Sequence, residues 1–240
     1  MEKTKTIEIT AGDIVYCLTR KRVKNISLRI KADGSVYVTA DGRIPQNVID
    51  GFVLSKRLWI KKHQADAEKN KSLPAVPSGI FNGAKVFFLG EEKQVEITAG
   101  KKSGVAIIDG KIVITAKESA SAEKYFSRWL KKETERTLSG TFEGIKQNYK
   151  HIFGEDFTLK LRKMKSRWGS YNHKKRQVTL NTCLIFAPLY CIEYVSLHEL
   201  CHSFHQNHSK QFYALLDKFM PEWKTARKYL RQNGSRFLSF

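Results

Sequence analysis

The densest chemistry in this chain lies at His198-Glu199-Leu200-Cys201-His202, an HExxH pattern. Two histidines four apart on a helix are separated by about 40° around its axis and about 6 Å along it. Their imidazoles can therefore meet at one metal ion, with Zn–N bonds of roughly 2.0–2.1 Å. Glu199 follows the first histidine and points beside the pair, where a carboxylate can take a proton from a zinc-bound water. Leu200 and Cys201 fall on the other side of such a helix, toward a core. With 7 histidines in 240 residues, the pattern arises in roughly 1% of shuffled chains, so it is informative. A buried histidine pair can also be purely structural, but four of the seven histidines fall between His198 and His208.

A catalytic zinc needs a third protein ligand and an open fourth position. His208 is favoured. Its spacing from His198 also occurs in the metzincin pattern, where the helix stops and the chain turns back on a glycine. Here His205 stands at the glycine position, and Asn207 is expected to supply a left-handed residue instead. His205 lies about 10 Å beyond His198 along a continued helix, which makes it a substrate-side or solvent residue. A carboxylate from Asp217 or Glu222 ranks well below His208.

Upstream, Ser166-Arg167-Trp168-Gly169-Ser170-Tyr171 precedes a short strand ending in Leu180-Asn181. The hairpin from Arg167 to Asn181 is the candidate edge strand for an extended peptide. Arg167, Trp168, Asn181 and His205 are the candidate substrate-binding residues, and Arg167, Tyr171 and His205 the candidate oxyanion partners. Trp168-Gly169 reads equally well as a core aromatic followed by a turn glycine. Residues 160–176 carry Lys160, Arg162, Lys163, Lys165, Arg167, Lys174, Lys175 and Arg176 with no acidic residue. Such a run can steer phosphates toward a site or can be a solvated face. His63, His151 and His173 read as surface residues.

The elements that must position these groups are legible from patterning. In the first third, Ile7–Thr10, Ile26–Ile30 and Val36–Thr39 alternate as strands, the last two joined at Asp33-Gly34. A helix is expected from Gln46 to Glu68, although its apolar positions suit one face only loosely. Residues 70–79, with two prolines, are linker-like. Strands follow at Ala84–Leu89, Gln94–Ile97, Val105–Ile108 and Lys111–Ile114, then a helix over Ser121–Tyr149. Strands Phe157–Met164 and Gln177–Asn181 precede helices at Leu189–His205, Lys210–Phe219 and Glu222–Arg231, with Pro188 at a helix start. No internal repeat is legible. The expected fold is α+β: a β-rich N-terminal region over 1–117 and a compact core carrying the HExxH helix over 118–240.

Composition bounds the partners. Forty-three basic against 23 acidic residues give a net charge of +20, which calls for an acidic partner, with nucleic acid, nucleotides or an anionic surface as classes. Hydrophobic residues at 41% exclude a disordered basic tail. The longest near-apolar run, Leu184–Ile192, is too short to span a membrane, which takes about 20 residues. Met1-Glu2-Lys3-Thr4 opens no apolar leader, and Cys17, Cys183, Cys191 and Cys201 form no CxxC pair. Both point to a reduced, cytoplasmic protein.

Trp168-Gly169-Ser170, Leu180-Asn181, Tyr194-Val195-Ser196-Leu197 running into the HExxH, Asn207-His208-Ser209 with Phe212, Pro221-Glu222-Trp223-Lys224 and Lys228-Tyr229-Leu230 together resemble the YgjP-like metallopeptidase family. The SprT-like zinc proteases are a more distant likeness. The Leu58-Trp59-Ile60, Phe88-Leu89-Gly90 and Trp129-Leu130 segments fit as well, although the C-terminal third is the specific part. The resemblance implies a zincin core, zinc on His198, His202 and His208, and Glu199 as general base. It implies a peptide or protein substrate but leaves its identity open. Hydrolysis of a nucleotide or other phosphoester, or proteolysis near nucleic acid, are the alternatives that the basic surface keeps in view. Phe212-Tyr213 departs from the Phe-Trp usual there, which is expected to alter packing alone.

Overall fold

The structure is a computed structural model and describes residues 6–31, 33–70, 75–77, 79–118, 121–154 and 156–238. Residues 71–74 and 78 of the linker-like stretch lie outside the described residues. The chain divides into two compact units, Met1–Ser72 and Leu73–Phe240.

The first unit is a four-stranded sheet with two helices. Strands β1 (Thr6–Ala11), β2 (Ile14–Arg20), β3 (Ser27–Ile30) and β4 (Val36–Ala40) lie in the order β1-β2-β4-β3. The inner pair is parallel and both outer pairs are antiparallel. Period-two alternation buries Ile14, Tyr16 and Leu18 from β2 with Val36, Val38 and Ala40 from β4. The single helix expected over 46–68 is two, α1 (Gln46–Ser55) and α2 (Arg57–Asn70), broken at Lys56. Ile49 and Val53 from α1 and Ile60 from α2 all reach one core. Tyr16 donates to Asp50 Oδ1 at 2.6 Å from within that core.

The second unit begins with another four-stranded sheet: β5 (Lys85–Phe88), β6 (Glu91–Ala99), β7 (Gly104–Ile108) and β8 (Lys111–Ala116), in the order β5-β6-β8-β7. Its inner pair is again parallel and its outer pairs antiparallel. The chain thus builds the same sheet twice, a repeat hidden from the sequence reading because few side chains coincide. Asp33-Gly34 and Asp109-Gly110 turn the corresponding hairpins, with both glycines at positive φ. Val36-Tyr37-Val38-Thr39-Ala40 stands where Ile112-Val113-Ile114-Thr115-Ala116 stands, and Trp59-Ile60-Lys61-Lys62 matches Trp129-Leu130-Lys131-Lys132 on the helix that follows.

This second sheet packs with the HExxH region, so the structural boundary falls at 72/73 rather than at 117/118. Val86, Phe88, Ile112 and Ile114 share one core with Phe126, Leu184 and Ile192. The β5–β6 turn is pinned by backbone bonds from Leu89 to Ile185 (2.8 Å) and from Gly90 to Phe186 (3.1 Å). Gly90, at φ 85°, lies so close to Pro188 that a Cβ there would overlap its ring.

Helices α3 (Ala122–Asn148) and the short α4 (Lys150–Phe153) lead to a three-stranded sheet of β9 (Thr158–Arg162), β10 (Gly169–Asn172) and β11 (Gln177–Asn181), in the order β10-β11-β9. A 3-10 turn over Thr182–Phe186 then feeds α5 (Leu189–Cys201), followed by α6 (Lys210–Phe219) and α7 (Trp223–Leu238). α5 is buried on nearly every side, from Cys191 to Cys201, and is the central helix of this unit. The whole is a mixed α+β fold.

Candidate metal centre

α5 ends four residues earlier than the pattern suggests. His202 caps it in helical geometry, and Ser203 and Phe204 bond back to Leu200 (2.9 Å) and Cys201 (3.1 Å). These tight bonds turn the chain without any left-handed residue, and Asn207 does not take a positive φ. Ser209 then caps α6, accepting from Phe212 N–H at 3.3 Å. That cap starts α6 immediately after His208 and brings the histidine back over α5.

The ligand-capable atoms of His198, His202 and His208 all lie within 4.8 Å of one another. Nε2 of His198 and Nε2 of His208 are 2.9 Å apart. His202 donates its Nδ1–H to the carbonyl of His205 at 2.9 Å, which fixes the tautomer and leaves Nε2 as the free nitrogen. His198 Nδ1 is buried with no hydrogen-bond partner among the described residues. The fully buried Phe212 ring floors the cluster, its centroid 4.9, 4.8 and 4.9 Å from the rings of His198, His202 and His208.

The surroundings of His198 and His208 favour their neutral forms. Burial, reinforced by His202, His208 and Arg227, pulls His198 down to about 3. Burial, with His202 and Arg227, lowers His208 as well. Glu199 is 6% exposed, and that burial pushes its carboxyl up to about 8 against the opposing pull of Arg167. Three imidazole nitrogens form a donor set suited to zinc and to other borderline divalent ions.

Gly169 explains the placement of Glu199. A Cβ at this β10 position would lie 2.5 Å from Glu199 Oε1, 2.7 Å from its Cγ and 2.8 Å from Val195 Cγ1. The glycine is therefore neither a turn residue nor a φ requirement. It is the gap in which the glutamate side chain lies.

A cavity of about 540 Å³ opens over the cluster, lined by the three histidines and Glu199 together with Arg167, Ser170 and Tyr171. Of the four residues expected to contact substrate, Arg167 is the one that lines it among the described residues. Trp168 turns inward instead, edge-on to Phe237 at 6.5 Å and against Gly234. Asn181 is fully buried. It accepts from Met164 N–H (3.2 Å) and Cys183 N–H (3.1 Å) and donates to the carbonyls of Met164 and Arg167 (both 2.8 Å), leaving no capacity for a ligand. His205 contributes its carbonyl to His202 rather than its ring to the cavity. Asp217, the low-ranked third ligand, accepts from Trp223 Nε1–H at 2.6 Å, and Glu222 is likewise no member of the histidine cluster. Phe212, Gly169 and the His205 carbonyl were missed as site residues because each acts through a contact distant in sequence or through its backbone.

Solved structures with some likeness include the metallopeptidase zymogens of Methanocaldococcus jannaschii jannalysin (21% identity, 40% of this chain and 94% of that one, TM-score 0.35) and Pyrococcus abyssi abylysin (20%, 41% and 90%, TM-score 0.31). A Wss1 mutant from Saccharomyces cerevisiae aligns at 17% identity over 61% of this chain and 98% of that one, with a TM-score of 0.30. These likenesses are too distant to transfer fold or activity. Among curated proteins, none matches the chain. The family model of the YgjP-like metallopeptidase domain, in contrast, matches residues 24–233, which takes in the HExxH helix and most of both units. The chain belongs to the YgjP-like metallopeptidase family, whose members are hydrolases of the peptidase type.

Proposed function

We propose that the chain is a zinc-dependent peptidase in which His198, His202 and His208 hold the ion and Glu199 moves the proton. The observation that carries this reading is the convergence of three imidazole nitrogens on a cavity that a buried carboxylate also lines. Zinc held by such a set supplies Lewis acidity toward a carbonyl oxygen and acidifies water. Glu199 takes a proton from the water whose oxygen adds to the scissile carbon, and passes it to the amine as the C–N bond breaks. Its burial suits this double duty, since a carboxyl shifted toward neutrality can both accept and return a proton. β10 is an edge strand beside α5 and is placed to pair with an extended peptide. Four free cysteines fit a reducing compartment such as the cytoplasm, and no helix among the described residues is long and apolar enough to cross a membrane.

Glu199→Gln tests the assignment. Peptide turnover should fall by about 10²–10⁴-fold, with zinc content by elemental analysis unchanged; a variant that keeps its turnover overturns the role. A second reading, hydrolysis of a nucleotide or other phosphoester, is favoured by the cations beside the cavity. Phosphate release from nucleoside triphosphates without cleavage of any peptide would select it.

A further inference from the structure

The cavity over the histidines continues into a second depression of about 620 Å³, and Arg167, Ser170 and Tyr171 line both. The floor of this groove is one face of the three-stranded sheet. Ser170 pairs with Thr179 and Thr179 with Lys160, while Asn172 pairs with Gln177. The intervening Val178 and Leu180 are buried on the opposite face. Alternation therefore places Lys160 and Arg162 on the same side as Ser170 and Thr179. Lys163, Lys165 and Arg167, from the segment between β9 and β10, complete the wall.

Five cationic side chains line this groove and no acidic one does. Among the described residues, Lys160, Arg162 and Lys165 form no ion pair. The charges of Lys160, Arg162 and Lys165 are thus gathered in a groove that leads to the histidine cluster. A nucleic-acid strand would normally also need aromatic faces on which bases stack. Tyr171 is the one aromatic in the lining, and its ring is engaged with Phe157 at 6.0 Å and His173 at 6.0 Å. What the groove presents is hydroxyl, amide and cationic groups, the complement of a polar, acidic peptide.

We propose that this groove selects peptide substrates carrying aspartate or glutamate on one side of the cleaved bond; this rests on the peptidase reading of the site. Lys160 lies two strand spacings from Ser170, roughly 10 Å, so the selected acidic residues lie where the peptide has left the edge of β10 and crosses the face of the sheet.

The test uses the metal-loaded full chain and fluorogenic peptides that share one cleaved sequence and differ in flanking residues: acidic, neutral polar or basic. The kcat/KM for acidic flanks should exceed that for basic flanks by about tenfold on one side of the bond. The ratio should approach one as salt rises from about 0.05 to about 0.5 M. Lys160→Glu with Arg162→Glu should invert the ratio, and Lys160→Gln with Arg162→Gln should level it; circular dichroism and zinc content check that each variant is folded. In parallel, a labelled acidic peptide and a labelled neutral one are titrated with the Glu199→Gln protein, with oligothymidylate as competitor. Cleavage that ignores flank charge and salt overturns the inference and leaves the peptidase reading standing. Failure to cleave any peptide overturns the peptidase reading, and the titration then decides the groove by itself. Preference for the acidic over the neutral peptide supports acidic selection, whereas tight oligothymidylate binding without that preference overturns it.

Discussion

Glu199 is a carboxylate kept where carboxylates rarely reside, and Gly169 is the reason it fits. The missing side chain on β10 is filled by the glutamate itself. Gly169→Ala should therefore displace Glu199 while leaving the three histidines alone. Since a misplacement of about 1 Å can cost about 10²-fold in rate, kcat is expected to fall by that order with zinc content unchanged, as steady-state kinetics and elemental analysis on one preparation would show. Loss of zinc together with activity would mean instead that the strand had moved as a whole. The contrast between these residues shows what can be read from sequence. The relation of His198, Glu199 and His202 is set by helical geometry within five residues, so it was visible at once. The roles of Gly169 and Phe212 depend on packing between elements distant in the chain, which no local pattern encodes. Asn181 misled for the same reason: a polar residue at the end of a strand near the motif reads as a ligand contact, and only its four internal hydrogen bonds reveal otherwise.

Those four bonds matter at the level of elements. Asn181 closes β11 and ties the 164–167 segment to it, so the segment that carries Arg167 to the cavity is held by one buried amide. Asn181→Ala would leave the backbone groups of Met164, Arg167 and Cys183 without their partner, and urea denaturation should register a loss of about 3 kcal/mol. Element positions were largely legible. Strong alternation marked β4, β8 and β11, and the long apolar face of α3 marked its length. The misses have physical causes. β2 carries exposed Val15 amid buried neighbours and was passed over. α5 was extended to His205 because periodicity continues through residues that in fact turn back on 3-10-type bonds. α7 runs on to Leu238, since Gly234, a poor helix former, is accommodated where it meets the Trp168 ring.

For the molecule as a whole, two separate cores imply two separable stabilities. Zinc at about 100 times its Kd should stabilise the second unit by about 2.7 kcal/mol and raise one calorimetric transition only. Tyr16→Phe, which removes the buried hydroxyl bonded to Asp50 and Gln46, should lower the other by about 1 kcal/mol. A single transition moved by both changes would contradict this. The sequence boundary at 117 followed composition, the shift from strands to helices. The structural one follows burial, and burial joins β5–β8 to the residues around α5. The twofold sheet has a consequence during folding. Each hairpin emerges into a chain where two sites with the same strand order compete for it, and backbone hydrogen bonding alone cannot tell them apart. Fidelity falls to side chains such as Tyr16 in one copy and Phe88 in the other, and a destabilised first unit would expose β4 as a rival address for β6.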